Sequence, residues 1–271
     1  MKIIISPAKK MTTAVDAVAT TRPILLDRAK TLYAWLKNRS PAALQKLWQC
    51  NDAIAALNIE RLQNTAPEDL DTAPTPALLA YQGIQYQTMA PLVLTEHAEA
   101  YLAEHLRILS ALYGVLAPTD GVVPYRLEMA QKATVASHRD LYAFWGDALY
   151  HSLMDKDRTI VNLASREYAK AVAPYLMPGD RFVTCLFADL VAGKPRQKAT
   201  YAKMARGEMV RFMAENAVTD FEALKAFDDI RYFYDAGRSD GDTFVFIRRP
   251  YRPSFKQADA DQAKHDAGHL F

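Results

Sequence analysis

The stretch RILSALYGVLAPTDGVVPYRLEMA, residues 107–130, joins an apolar strand to an unusually elaborate loop. The strand is followed by the turn-forming residues Gly114, Pro118, Gly121 and Pro124. Tyr125, Arg126 and Glu128 come directly afterwards. Short loops normally suffice to join elements, and binding residues concentrate on loops that a rigid scaffold positions. The sequence therefore predicts that this loop forms one wall of a binding cleft.

Four further apolar runs predict the other strands of a central sheet, at residues 2–6, 159–164, 181–190 and 243–248. A continuous β-branched run such as Ile3, Ile4 and Ile5 is typical of a strand buried on both faces. Helices are predicted at 23–37, from 41, at 76–81, 95–106, 140–154 (as one helix), 200–216 and 221–227, and residues 57–75 are predicted to be rich in loops. The sequence thus predicts a mixed α/β (α+β) fold, a single compact domain over residues 1–252 with a central mixed sheet flanked by helices. The polar tail at 253–271 is expected to be disordered.

Composition limits the class of function only loosely. The 271 residues carry 33 lysines and arginines against 31 aspartates and glutamates, a formal net charge of +2. Overall charge therefore neither favours nor excludes a nucleic-acid partner, and a basic surface has to come from local clustering. The apolar run in the first ten residues, MKIIISPAKK, is too short for a signal peptide or a membrane span. We therefore expect a cytoplasmic protein without a membrane partner.

Two predicted strand ends carry residues suited to an anion. Lys9 and Lys10 follow the first strand, and open α/β sheets bind ligands at the carboxyl ends of their strands. Ser165 follows the strand TIVNLA and is a candidate helix cap, a geometry that can bind an anion. Asn162 lies inside that strand, where its amide needs hydrogen-bond partners. Two solvated lysines on a surface loop are the alternative, and spacing alone favours it.

The helix predicted at 200–216 has a cationic face and an apolar back. At 100° per residue, an arc of about 140° contains Lys203, Arg206, Gly207 and Arg211. Gly207 weakens the helix there, but a glycine would allow a phosphate backbone to come close. A solvated surface helix is the alternative, and the position of Gly207 in the middle of the cationic arc slightly favours a functional face.

Residues 41–62 have the spacing of a degenerate helix-hairpin-helix. Two leucines three residues apart, Leu44 and Leu47, precede a short polar turn. In that motif, backbone N–H groups grip a phosphate without reading bases. Glycines are usual where Gln49 and Asn51 stand, and asparagine tolerates left-handed backbone better than glutamine. An ordinary helical hairpin is the alternative, and the pattern alone favours it.

Five longer stretches are spread from the first strand to the last third of the chain. They are SPAK (6–9), LSALYGVLAPTDGVVPYRLEM (109–129), LYAFWGD (141–147), NLASREYAKAV (162–172) and YAKMARGEMVRF (201–212). Together they resemble the YaaA family, a family of bacterial proteins linked to resistance to hydrogen peroxide. The length and order of these stretches make the resemblance far more specific than any single short motif.

The resemblance implies a cytosolic protein of the peroxide-stress response that limits damage associated with intracellular iron. It also implies a mixed α/β fold with a helix-hairpin-helix and a positively charged cleft that binds double-stranded or branched DNA. The candidate DNA-binding residues are Lys9, Lys10, Gln49, Asn51, Tyr125, Arg126, Ser165, Lys170, Lys203, Arg206, Gly207 and Arg211. Such binding would be largely independent of base sequence and would weaken steeply with salt.

A second hypothesis is an enzyme that acts on a nucleobase or nucleotide in the same cleft. Its candidate catalytic residues are Glu128, Asp147, Glu167 and Asn162, with Tyr125 and Tyr168 as orienting groups and Trp145 or Tyr113 as a base-stacking ring. The alternative for the carboxylates is a structural ion pair, Glu128 with Arg126 or Glu167 with Lys170, and we favour it.

Direct iron binding is a third hypothesis, and the sequence gives it little support. The six histidines are His97, His105, His138, His151, His265 and His269. They form no convincing ligand set, and no Glu-x-x-His pattern on paired helices is present. We therefore predict no metal site and no cofactor.

Overall fold

The strand Lys2–Ile5 lies at the centre of the molecule in a computed structural model that describes residues 1–228 and 231–249. Ile3, Ile4 and Ile5 are completely buried, as a continuous β-branched run requires. The strand pairs in parallel with a neighbour on each side, Leu106–Ser110 and Thr159–Asn162. The expectation of a disordered tail, and the histidines His265 and His269, concern residues outside the described ranges.

The described residues form twelve strands, and eight of these belong to one mixed sheet. The strands are β1 (Lys2–Ile5), β2 (Lys10–Met11), β3 (Thr75–Pro76), β4 (Tyr81–Gln82), β5 (Leu106–Ser110), β6 (Gly114–Leu116), β7 (Gly121–Val122), β8 (Thr159–Asn162), β9 (Arg181–Val191), β10 (Lys194–Arg196), β11 (Tyr232–Tyr234) and β12 (Thr243–Arg248). The sheet order is β11-β12-β9-β8-β1-β5-β6, with β10 paired to β9. Strands β12, β9, β8, β1 and β5 are parallel, whereas β11, β6 and β10 pair antiparallel.

Helices cover the sheet. The α-helices are α1 (Leu26–Lys37), α2 (Pro41–Trp48), α3 (Asp52–Asn64), α4 (Ala77–Ala80), α5 (Ile84–Met89), α6 (Glu96–His105), α7 (Leu141–Trp145), α8 (Ala148–Leu153), α9 (Arg166–Ala169) and α10 (Ala199–Glu215). Short 3₁₀ turns occur at Pro67–Asp71, Pro91–Val93, Ala173–Tyr175, Phe221–Ala226 and Ala236–Arg238. The arrangement confirms the predicted mixed α/β fold, a single compact domain with a central mixed sheet flanked by helices.

Two local predictions were wrong. The single helix expected at 140–154 is divided into α7 and α8, because Gly146 has φ +54 and ends the first helix. The stretch expected to be rich in loops continues α3 to Asn64 and then forms a 3₁₀ turn. Leu62 and Leu70 are buried in that segment, and this packing outweighs its weak local helix signal.

Helices α2 and α3 form a helical pair joined by a three-residue turn. Gln49 adopts left-handed backbone, with φ +46, although glutamine tolerates this conformation poorly. Asn51 caps α3, because its side-chain oxygen accepts a hydrogen bond from the Ile54 N–H at 3.0 Å. These contacts explain the hairpin without a ligand, so a phosphate-binding helix-hairpin-helix stays a prediction.

Helices α5 and α10 cross at Gly207, and this contact corrects the role expected for that glycine. A Cβ atom at Gly207 would lie 2.1 Å from the Gln85 carbonyl oxygen. The Thr88 hydroxyl donates across the same crossing to the Met204 carbonyl at 2.9 Å. Gly207 is therefore buried against another helix, and the close approach it permits is that of α5 and not of a phosphate backbone.

Among the described residues, no helix combines the length and the apolar character that crossing a bilayer requires.

Replacing Gly207 with alanine should destabilise the protein, although the same change inside an ordinary helix is worth about 1 kcal/mol of stabilisation. The new methyl group would overlap the Gln85 carbonyl, and overpacking of this kind costs about 1–3 kcal/mol or more. Urea unfolding measures the difference. Gly241→Ala is the matched control, because its Cβ would meet no atom within 4 Å. Equal unfolding midpoints for the two variants would contradict the close helix contact.

Candidate functional site

The loops that follow β1 and β8 meet at the carboxyl edge of the sheet. The chain moves from β1 to β5 on one side and later returns to β8 on the other, so the strand order reverses about β1. The Ser165 N–H donates to Ser6 Oγ at 2.8 Å, and the Ser6 hydroxyl donates to Ser165 Oγ at 3.2 Å. Open α/β sheets bind ligands where the strand order reverses, so a binding site is expected at this edge.

Ser165 differs from its predicted role in one respect. It precedes α9, but its side chain accepts no capping hydrogen bond from that helix. Its backbone and hydroxyl instead bond to Ser6. Ser165 therefore joins the two loops of the edge and does not cap the short helix.

A cleft of about 430 Å³ opens at this edge. Its walls come from the loop after β1, the start of α5, residues 125–128, residues 165–168 and one side of α10. Its charged side chains are Lys9, Lys10, Arg126, Lys203, Arg206, Glu128 and Glu167. Cations separated by nearly 200 residues in the sequence thus lie around one cavity, and they outnumber the carboxylates by five to two.

The carboxylate Glu128 pairs with two of these cations. Its Oε2 lies 2.6 Å from Lys9 Nζ, and its Oε1 lies 3.0 Å from Arg126 Nη2. The structural ion pair expected for Glu128 and Arg126 is therefore present. Lys10, Lys203 and Arg206, in contrast, make no ion pair with any carboxylate of the described residues. These three side chains carry the positive charge that the protein leaves uncompensated in the cleft.

Several polar groups of the cleft wall are buried without a hydrogen-bond partner. They are Nε of Arg126, Nε of Arg206 and the side-chain amide nitrogen of Gln85. Burial also lowers the pKa of the Arg206 guanidinium, although arginine stays charged at physiological pH. Buried donors of this kind are satisfied in folded proteins by a protein group or by an ordered water.

Tyrosines form the inner wall of the cleft. The Tyr125 hydroxyl lies 2.8 Å from the Tyr81 hydroxyl and 2.6 Å from Ser110 Oγ. The Tyr86 hydroxyl donates to the Ser6 carbonyl at 3.0 Å. Burial raises the pKa of Tyr125 to about 12, and it raises the pKa of Tyr168 well above the ordinary value. These rings are neutral, rigid and largely fixed by the protein's own hydrogen bonds.

Other predicted DNA-binding residues lie outside the cleft lining. Gln49 and Asn51 are in the α2–α3 turn, and Gly207 is covered by α5. Lys170 Nζ lies 4.8 Å from the centre of the Tyr142 ring, and Arg211 Nε pairs with Glu215 at 2.7 Å. The predicted cationic arc of α10 is therefore divided, because Lys203 and Arg206 line the cleft and the other two residues do not.

The carboxylates proposed for an enzyme are only partly brought together. Glu128 and Glu167 line the cleft, and Glu167 Oε1 accepts a hydrogen bond from the Ala130 N–H at 2.9 Å. Asp147 lies outside the lining, beside His151 at 3.5 Å. Asn162 is buried in β8, where its amide bonds to Thr184 Oγ1 and accepts from the Ala164 N–H. Asn162 is therefore held by hydrogen bonds within the sheet, and Asp147 is an exposed residue outside the cleft.

The rings proposed for base stacking are both in the core. Trp145 is fully buried and its indole N–H donates to the Ala111 carbonyl at 3.0 Å. Tyr113 is also fully buried, and its hydroxyl accepts from the Val123 N–H at 3.0 Å. Neither ring can stack on a base without unfolding its surroundings, so this part of the enzyme hypothesis was wrong.

Gln85 and Tyr86 were missed by the sequence analysis. They belong to a short helix that begins after Gly83, and a hypothetical Cβ on this glycine would lie 3.1 Å from the Ala8 Cβ. The only signal in the sequence is a glycine between polar and aromatic residues, YQGIQY, which many loops share. Their place in the cleft follows from the packing of α5 on α10.

Within residues 1–228 and 231–249, no three histidine, cysteine, aspartate or glutamate side chains lie together as a possible metal site.

Comparison with known proteins identifies close relatives over nearly the whole chain. Residues 1–238 match a protein-family model described as peroxide stress protein YaaA. A UPF0246 protein of Pediococcus pentosaceus is 50% identical over 249 residues, 92% of this chain and 98% of that protein. A UPF0246 protein of Lactiplantibacillus plantarum is 48% identical over 248 residues, 91% of this chain and 99% of that protein.

The buried Tyr125 should make the protein less stable in alkali. Its pKa is about 12 in the folded protein and about 10 in an unfolded chain, so its contribution is complete below pH 10. That contribution is lost as the pH rises from about 10 to 12, at up to about 1.4 kcal/mol per pH unit. Urea unfolding between pH 9 and 11.5 measures the slope, and Tyr125→Phe should reduce it because phenylalanine cannot ionise. Identical slopes for the two proteins would contradict the assignment.

Proposed function

Because the chain belongs to the peroxide stress protein YaaA family, we propose that it is a cytoplasmic DNA-binding protein of the bacterial peroxide-stress response. In this proposal the cleft binds double-stranded or branched DNA through its phosphates and largely without regard to base sequence. The observation that carries the proposal is the convergence of Lys10, Lys203 and Arg206 around one cavity without carboxylate partners in the described residues.

The uncompensated charge of the cleft is physically suited to a polyanion. Each phosphate that a lysine or arginine neutralises releases counterions, and this release supplies most of the affinity of sequence-independent binding. Lys9 and Arg126 can take part when DNA phosphates compete with Glu128 for them, at the cost of a partly buried ion pair. The three free cations need no such exchange and make the first contacts.

The turn between α2 and α3 supplies a second, neutral contact in this proposal. Its residues Gln49 and Asn51 are exposed, and Ile54 and Leu57 on α3 are partly exposed beside them. Backbone N–H groups of such a turn bind phosphate without reading bases. Contacts at both places would favour bent or branched DNA over a short straight duplex.

The link to iron is proposed to be indirect. The described residues contain no cluster of metal ligands that would store the ion. A protein that covers DNA during peroxide stress limits iron-associated damage by protecting or regulating the DNA. This route uses the cationic cleft.

Removing one cleft cation should weaken DNA binding and reduce its dependence on salt. Engagement of three phosphates by Lys10, Lys203 and Arg206 gives a slope of about −2.7 for log K against log salt, at about −0.9 for each phosphate. Lys203→Gln should make that slope shallower by about 0.9 and weaken binding at low salt. Fluorescence anisotropy with a labelled duplex, titrated between 50 and 200 mM salt, measures both quantities.

Arg211→Gln is the matched control for this experiment. It removes one positive charge from the same helix, at a position that pairs with Glu215 outside the cleft lining. It should change the affinity and the slope little. Equal losses in the two variants would contradict a role for the cleft and indicate a diffuse electrostatic attraction, and binding that is flat with salt would contradict the phosphate-contact proposal itself.

A further inference from the structure

The cleft has the volume of a small-ligand pocket and not of a duplex groove. Its volume is about 430 Å³, within the range of roughly 300–1,000 Å³ for pockets that enclose small molecules. A DNA duplex is wider than its major groove, which alone measures about 12 Å, so an intact duplex can lie across the opening but cannot enter it. The interior is therefore available to one unit of a nucleic acid at most.

The cations of the wall that lack a carboxylate partner among the described residues suit a compact anion inside the cleft. Lys203 and Arg206 both line the cavity from α10, and neither pairs with a carboxylate in the described parts of the chain. A phosphate that enters the cleft can accept hydrogen bonds from both side chains.

The remaining walls suit a polar ring attached to that phosphate. Tyr86, Tyr125 and Tyr168 give an apolar inner surface with fixed hydroxyl groups. Glu128 and Glu167 place carboxylate oxygens in the same cavity, and carboxylates repel a bare phosphate but accept hydrogen bonds from the amino groups of bases. A pocket with both cations and carboxylates thus matches a ligand that is anionic at one end and a hydrogen-bond donor at the other.

We propose that the cleft holds one nucleotide unit of the bound DNA, with its phosphate against Lys203 and Arg206 and its base towards Glu128 and the tyrosine wall. This inference rests on the proposed DNA binding and specifies what the cleft selects. The nucleotide has to leave the base stack to enter, which is easiest where it is unpaired or lies at a branch or a strand end. The protein would then favour such sites chiefly by their accessibility.

The test uses the full-length chain and calorimetric titration with deoxynucleoside 5′-monophosphates at low salt. One nucleotide should bind per chain, at least about 10-fold more tightly than inorganic phosphate or the unphosphorylated deoxynucleoside. Arg206→Met should weaken nucleotide binding at least about 10-fold, and Lys203→Gln, at an exposed position that does not endanger folding, should weaken it a few-fold. Arg211→Gln should bind the nucleotide as the unaltered protein does. Thermal melting of each variant verifies that it is folded.

A competition experiment places the nucleotide in the DNA. Saturating mononucleotide should displace a duplex with one unpaired, bulged nucleotide at least 10-fold more effectively than it displaces a fully paired duplex of the same length. Mononucleotide binding without this preferential displacement would overturn the inference.

The outcomes separate this inference from the proposed function. Salt-dependent duplex binding without any mononucleotide binding, or phosphate that binds as tightly as the nucleotide, would overturn the nucleotide pocket and leave DNA binding intact. Absence of binding to both duplexes would overturn DNA binding, and the nucleotide assignment would fall with it.

Discussion

The parallel pairing of β1 with both β5 and β8 is the constraint on which the rest of the structure depends. Three buried isoleucines fill the centre of the sheet, and the backbone of β1 is satisfied on both sides. This pairing brings the loops after β1 and β8 to one edge, where Ser6 and Ser165 join them by hydrogen bonds. The cleft lies at this edge because the parallel strands end there, and the loops that follow β1 and β8 form part of its walls.

Electrostatic pairing then decides which cations remain available. Glu128 holds Lys9 and Arg126, and Glu215 holds Arg211 on the outer side of α10. Lys10, Lys203 and Arg206 remain without such partners in the described parts of the chain. Lys10 and Lys203 are exposed, whereas Arg206 is partly buried. A partly buried charge without compensation costs folding free energy, so the retention of Arg206 at the cavity is the most informative of the three.

The crossing of α5 and α10 connects the fold to the cleft. The missing side chain of Gly207 allows the Gln85 carbonyl to approach, and this approach places Gln85 and Tyr86 in the wall that faces Arg206. The sequence suggested Gly207 as a point of approach for a phosphate backbone, but the residue packs against α5 instead. It positions residues that line the cleft. Similarly, Trp145 supports the loop from inside the core through the Ala111 carbonyl.

The sequence by itself determined the five parallel strands, most helices and the class of fold, because β-branched runs and helical periodicity act locally and strongly. It also singled out Lys9, Lys10, Arg126, Lys203 and Arg206 as candidates, and the structure places all five in the lining of one cleft. It missed the break at Gly146 and the roles of Gln85 and Gly207, since these depend on neighbours far away in the chain. Only the tertiary structure decided which cations are neutralised and which face the cavity, because pairing and burial are properties of distances in space that no spacing along the chain contains.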